Sequence, residues 1–117
     1  LLLDVRDASE FLVSHLPNAQ LVQSTDDIAT SLENISSDTL IVAYCSVGYR
    51  SAQLINELQQ RGITTAFNLE GSIFAWANAG LPIYRGESQV RQVHPFNKSW
   101  GQLLNPEFWS FTPTSGP

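Results

Sequence analysis

A chain of 117 residues, 43% hydrophobic and 15% charged, has room for one compact domain with one continuous core, and its composition is that of a globular protein rather than a disordered or fibrous one. The formal net charge of −5, with few and unclustered basic residues, excludes nucleic acid as an expected partner. No apolar run approaches the roughly 20 residues of a membrane span, and no signal peptide pattern opens the chain, so the expectation is a cytoplasmic protein away from membranes.

Leu1 to Val5 reads as a buried strand, a short apolar run with charge near its carboxyl end. A chain that starts inside a strand and contains no Met reads as a fragment or a processed chain, with a segment expected before Leu1. Asp7 with Glu10 three residues later resembles a capping box, opening a short helix from Ala8 to Ser14 that ends before Pro17. Leu21 and Val22 suggest a very short strand. Thr25 reads as an N-cap, with Asp26 and Asp27 in the first turn and Ile28, Ala29 and Leu32 spaced as a helix running to about Asn34.

Ser36-Ser37-Asp38 is a turn, and Leu40 to Tyr44 is the clearest strand, uniformly apolar as in a parallel sheet covered on both faces. Ala52, Leu54, Ile55 and Leu58 form a helical stripe that Gly62 would terminate. Thr65 to Leu69 reads as a strand, and Gly71 to Ala79 as a helix capped by Gly80 and stopped by Pro82. Strands alternating with helices predict an α/β fold, a central and mainly parallel sheet with helices on both faces, its N-terminal strand missing from the chain.

Periodicity fades from Tyr84. Residues 84–117 hold Phe96, Trp100, Phe108, Trp109 and Phe111, too many aromatics to leave in water. This extension is expected to pack on the domain of residues 1–83, on a partner, or on a second copy as a homodimer.

Cys45 follows the clearest strand and precedes a helix, which places it at the carboxyl edge of the sheet where open α/β folds bind ligands. The amides of Ser46, Val47, Gly48, Tyr49, Arg50 and Ser51 can curl around the sulfur, and the helix N-terminus points its positive end at the same place. Both favour thiolate. Gly48 is free to take positive φ, and Arg50 adds a permanent cation for an anionic substrate. Ser51 can cap the helix or hydrogen-bond the sulfur. A buried, inert thiol is the competing reading of Cys45. As the only cysteine it can form neither an internal disulfide nor a Cys-x-x-Cys couple, and His15 and His94, far apart, make no metal site.

Four separated segments resemble a rhodanese-like domain over Leu1 to Pro82. Leu3-Asp4-Val5-Arg6 is similar to that family's early strand ending in Asp-Val-Arg. Phe11-x-x-x-His15-Leu16-Pro17-Asn18-Ala19 is similar to its Phe-x-x-x-His-hydrophobe-Pro-Gly-Ala signature. Cys45 to Arg50, with Ser51 opening the helix, is similar to its active-site loop, and Asn68-Leu69-Glu70-Gly71-Ser72, Trp76 and Gly80-Leu81-Pro82 to its closing elements. Asn18 and Ser72 stand where the family usually has Gly, substitutions expected not to touch the chemistry.

The resemblance implies a sulfurtransferase in which Cys45 takes a sulfane sulfur from a donor such as thiosulfate, becomes a persulfide, and passes the sulfur to cyanide or a thiol. Ser46 through Ser51 would bind the donor, Arg50 its anionic part, and no cofactor or metal is implied. His15 then belongs to a structural turn, Asp4 and Arg6 to a scaffold ion pair, and Trp76 to the core. His94 has no assigned chemistry. Two alternatives stand. One is a phosphatase or arsenate reductase of related fold; phosphatase loops carry one residue more than the four between Cys45 and Arg50, and no resolving cysteine is present for arsenate reduction. The other is a catalytically weak docking or sensing module.

Overall fold

The computed structural model describes residues 1–23, 25–33 and 36–113, with no account of the side chains of residues 25, 26, 29 and 31. Four short strands, β1 (Leu2–Asp4), β2 (Gln20–Leu21), β3 (Ile41–Tyr44) and β4 (Ala66–Asn68), form one parallel sheet in the order β2-β1-β3-β4. Leu3 is opposite Gln20 on one side and Ala43 on the other, and Ala43 is opposite Asn68. Between them run α1 (Ala8–Val13), α2 (Thr25–Leu32) and α3 (Tyr49–Gln60), and α4 (Ser72–Asn78) follows β4.

Alternation along the strands divides the core in two. Leu3, Ile41 and Ala43 pack with Leu54, Ile55 and Leu58 of α3 and with Ile28 and Leu32 of α2. Tyr44, from the opposite face, joins Leu16 and Ile73, Phe74 and Ala77 of α4, with Leu2 against them. The sheet is thus covered on both faces, as the alternating pattern predicts. Element ends shift by one or two residues. Thr25 is the first helical residue of α2, and the expected run to Asn34 falls outside the described residues. Ala52 is exposed; the inner face of α3 begins at Ser51 instead. Among the described residues no helix is long and apolar enough to cross a membrane.

The extension is more ordered than its sequence suggests. Strand β5 (Ile83–Arg85) turns at Gly86, φ +60°, into the antiparallel β6 (Ser88–Val90), and two 3-10 helices follow at Trp100–Leu103 and Pro106–Phe108. Val93 and Leu104 are buried with Ile73, Phe74 and Ile83, and Trp100, Phe108 and Trp109 pack against them. Val93 and Trp109 form a parallel bridge. The aromatics therefore cover the α4 side of the chain's own core. Gly101 is where the extension comes closest to itself, because a Cβ there would lie 2.6 Å from Trp109 Cζ2 and 2.9 Å from Pro95 Cβ.

Beside the end of β1 lies a fully buried ion pair. Arg6 Nε and Nη2 donate to the Asp4 carboxylate at 3.0 and 2.7 Å, and Nη2 also donates to the carbonyl of Ser14 at 2.6 Å. Tyr44 Oη donates to Asp4 Oδ2 and accepts from the Leu16 amide at 3.0 Å. Burial and the neighbouring Asp4 charge both push the Tyr44 phenol up, so it stays protonated as the donor the network needs. His15 is held by backbone, its Nδ1 2.9 Å from the Leu16 carbonyl and its Nε2 accepting from the Gly86 amide at 3.2 Å.

Asp4→Asn leaves the Arg6 charge buried without its counter-ion and is expected to lower unfolding free energy by roughly 3–5 kcal/mol in denaturant titration. Gly101→Ala, which drives a methyl into Trp109 and Pro95, is expected to cost about 1–3 kcal/mol in the same measurement.

Candidate active site

The chain leaves β3 at Tyr44, turns at Cys45, and enters α3 at Tyr49. Gly48, with φ +109°, caps that helix, and its carbonyl accepts from the Ala52 amide at 3.0 Å to close the first turn. Gly48 can take this left-handed conformation because it carries no Cβ, so the cap falls three residues before Ser51, which lies within the first turn instead. α4 also serves the loop. Its amides at Ile73 and Phe74 donate to the carbonyls of Cys45 and Ser46 at 3.2 and 3.0 Å, satisfying helix-start donors that would otherwise be orphaned.

Cys45 Sγ accepts from the Gly48 amide at 3.1 Å, and Ser51 Oγ lies 3.4 Å away. The Ser51 hydroxyl also reaches Asn68 Oδ1 at 2.6 Å, so its single proton serves one acceptor or the other. Burial alone would push the thiol up. The Ser51 hydroxyl and amide, the Gly48 amide and the Arg50 charge outweigh it and hold the thiol below its ordinary value. Cys45 has no solvent exposure, yet its surroundings are polar donors, not the apolar shell of an inert buried thiol.

The remaining loop residues divide by what they touch. Arg50 makes a two-pronged ion pair with Glu10, Nη1 to Oε1 and Nη2 to Oε2 both at 2.9 Å, and Nη2 donates to Ser46 Oγ at 2.8 Å. Ser46 Oγ in turn donates to Glu10 Oε2 at 3.1 Å. Burial opposes ionisation of Glu10, but Arg50 holds its carboxyl below the usual carboxylate range. Arg50 Nε has no partner among the described residues. Val47 packs on the α4 side of the core, and Tyr49 stands exposed with its ring edge-on to Trp100.

Four contributors went unread in the sequence. Glu10 reads as a capping residue, and it is one, accepting from the Asp7 amide at 3.1 Å; nothing local announces that the same carboxylate grips Arg50 forty residues away. Asn68, at the end of β4, accepts from Ser51 and donates through Nδ2 to the Gly48 carbonyl at 3.1 Å, holding the loop to the sheet. Ser72 Oγ accepts from the Cys45 amide at 3.1 Å and donates to the Leu69 carbonyl at 3.0 Å, so this side chain braces the backbone of the loop. Its φ of +49°, like the +63° of Asn18, marks left-handed backbone where glycine is the unstrained choice. Phe96 lies with its ring over Arg50, 4.5 Å from Cζ to the ring centroid.

A family model described as the rhodanese-like domain matches residues 1–79. The chain belongs to the rhodanese-like family. It is 38% identical over 87 residues to a sulfurtransferase of Allochromatium vinosum, a match covering 74% of this chain and 80% of that protein. It is 35% identical over 82 residues to the probable adenylyltransferase/sulfurtransferase MoeZ of Mycobacterium tuberculosis, covering 69% of this chain but only 21% of that longer protein. Among solved structures, the Rhodanese_3-like domain of an Anabaena protein is 25% identical with a TM-score of 0.62, covering 71% of this chain and 95% of that domain. The two relatives above that carry a sulfurtransferase name are 35–38% identical to this rhodanese-like chain.

The thiolate absorbance of Cys45, taken as the ultraviolet difference between wild type and Cys45→Ser, is expected to titrate below the roughly 8.5 of a free thiol. Ser51→Ala removes one donor and is expected to raise that midpoint.

Proposed function

We propose that this rhodanese-like chain transfers sulfane sulfur through a persulfide on Cys45. The observation that carries the reading is the sulfur seated at the start of α3, accepting from the Gly48 amide with Ser51 beside it, which favours the nucleophilic thiolate. In the first step Sγ attacks the outer sulfur of a donor such as thiosulfate, the Sγ–S bond forms, the donor's S–S bond breaks, and the leaving group departs with the bonding pair. The same amides then receive the terminal sulfur's negative charge, with Arg50 as the nearby cation closing the cradle formed by Ser46, Val47, Gly48, Tyr49 and Ser51.

In the second step a thiol or cyanide attacks the outer sulfur and the Cys45 thiolate is released. The chain has no second cysteine, so the acceptor comes from outside it. A carrier thiol of this kind fits a reducing compartment such as the cytoplasm.

Incubation with excess thiosulfate or cysteine persulfide, followed by intact mass spectrometry, is expected to show a gain of one sulfur atom that cyanide removes. Cys45→Ser is expected to gain none. A wild-type chain left unmodified by both donors would defeat the reading.

A further inference from the structure

The Ser51 hydroxyl has one proton and two acceptors within reach, Cys45 Sγ at 3.4 Å and Asn68 Oδ1 at 2.6 Å. The orientation of Asn68 decides between them at rest. Its Nδ2 lies 3.1 Å from the Gly48 carbonyl, and a carbonyl only accepts, so the amino end of the side chain must face Gly48. Oδ1 then faces Ser51, and the 2.6 Å contact requires the hydroxyl to donate to Asn68. Gly48 touches both rivals, since its own amide donates to Sγ at 3.1 Å.

With Cys45 as a thiol, S–H can donate to Ser51 Oγ while Ser51 donates onward to Asn68, and every proton in the row has an acceptor. Ionisation reverses the demand. A hydrogen bond to a charged acceptor is stronger than one to a neutral amide, so a thiolate draws the hydroxyl toward itself, less the cost of the bond to Asn68. A competing acceptor thus leaves the thiolate more basic and more nucleophilic than Ser51 alone would make it. The charges around the sulfur are otherwise fixed: Arg50 of α3, Glu10 of α1 paired with it, and Asp7 acting on Arg50 from beside Glu10. Burial lowers the affinity of His94 in the extension for a proton, and Glu70, between β4 and α4, is exposed. Asn68 carries no charge, so an apolar replacement redirects the proton without moving a charge.

We propose that Asn68 is a positioning residue that holds the Ser51 proton off Cys45 while the sulfur attacks and yields it when the sulfur leaves. This rests on Cys45 as the sulfur carrier and gives a residue outside its loop a part in both half-reactions. In the first, Sγ attacks the outer sulfur of thiosulfate, the Sγ–S bond forms, the donor S–S bond breaks, and sulfite leaves with the bonding pair. In the second, the carbon of cyanide attacks that outer sulfur, a C–S bond forms, the Sγ–S bond breaks, and Sγ departs as a thiolate that accepts from Ser51. Nucleophilicity falls and leaving ability rises as a thiol becomes more acidic, so a hydrogen bond fixed on Sγ would serve only the second step.

The test takes three readings on the full chain: the midpoint of the Cys45 thiolate absorbance, the rate of sulfur gain from thiosulfate by intact mass at a pH above every midpoint, and the rate at which cyanide discharges the loaded sulfur. Asn68→Leu leaves Ser51 only the sulfur to serve, while the Gly48 carbonyl still accepts from the Ala52 amide. The midpoint is expected to fall by about one unit. At a nucleophile sensitivity of about 0.4–0.5, that slows sulfur gain about threefold, and cyanide discharge becomes faster. In a Ser51→Ala background Asn68→Leu is expected to move none of the three, because the contested proton is gone. A merely structural loosening would slow both half-reactions and persist in that background.

Thermal unfolding establishes which variants are folded; should Asn68→Leu not fold, Asn68→Asp decides. Its carboxylate holds the proton more firmly and is expected to raise the midpoint, with part of the rise lost in the Ser51→Ala background. A midpoint that stays or rises in Asn68→Leu, half-reactions that slow together, or a shift that survives whole in the Ser51→Ala background would overturn the role of Asn68 while leaving Cys45 as a sulfur carrier. If wild-type Cys45 gains no sulfur from thiosulfate or cysteine persulfide, the carrier reading falls, and the part of Asn68 in its two half-reactions falls with it.

Discussion

The buried pairing of Asp4 with Arg6 is the constraint around which the molecule is arranged. Its two charges are wholly removed from water, so their lone pairs and protons need partners inside the protein, and among the described residues all but Arg6 Nη1 on the guanidinium find one. The partners are drawn from separate places: the Tyr44 hydroxyl at the end of β3 on Asp4, and the Ser14 carbonyl at the end of α1 on Arg6. Satisfying one ion pair therefore fixes the end of β1, the end of β3 and the exit of α1 relative to one another. Cys45 is the next residue after Tyr44, so the strand end that the network pins is also the one that launches the loop.

A second consequence follows through α1. Because Ser14 at its end is tethered to Arg6, the helix is held where Glu10, one turn earlier, meets Arg50. The scaffold charges and the loop charges are thus two clusters linked by a six-residue helix. Both are carboxylate–guanidinium forks, whose planar, two-pronged geometry fixes orientation as well as distance. A lysine at position 50 could supply the charge but could not be held in one plane between Glu10, Ser46 and Phe96.

The parts legible in the sequence were those written in local pattern. The apolar run at Leu40 to Tyr44, the capping box at Asp7 and Glu10, the stripe through Leu54, Ile55 and Leu58 and the glycine in the Cys45 loop each specify structure within a few residues. The position of Cys45 between strand and helix was readable for the same reason. What escaped was contact between distant positions: Glu10 with Arg50, Asn68 with Ser51, Phe96 with Arg50. A sequence also cannot say that Ser72, standing in a left-handed slot, will turn its hydroxyl toward the Cys45 amide. The β5–β6 hairpin was missed because three-residue strands are too short to show a period, although Gly86 marked the turn.

The contact of Phe96 with Arg50 couples two equilibria. The segment from His94 to Gly101 holds the ring in place only while it is folded onto the α4 side of the core, and the guanidinium is covered only while the ring is there. By thermodynamic reciprocity, whatever the loop binds more tightly with the Phe96 ring in place must stabilise the folded extension by the same free energy. A stretch of chain outside residues 1–79 is in this way linked energetically to the loop, and because it is tethered, its local concentration is set by the chain that connects it.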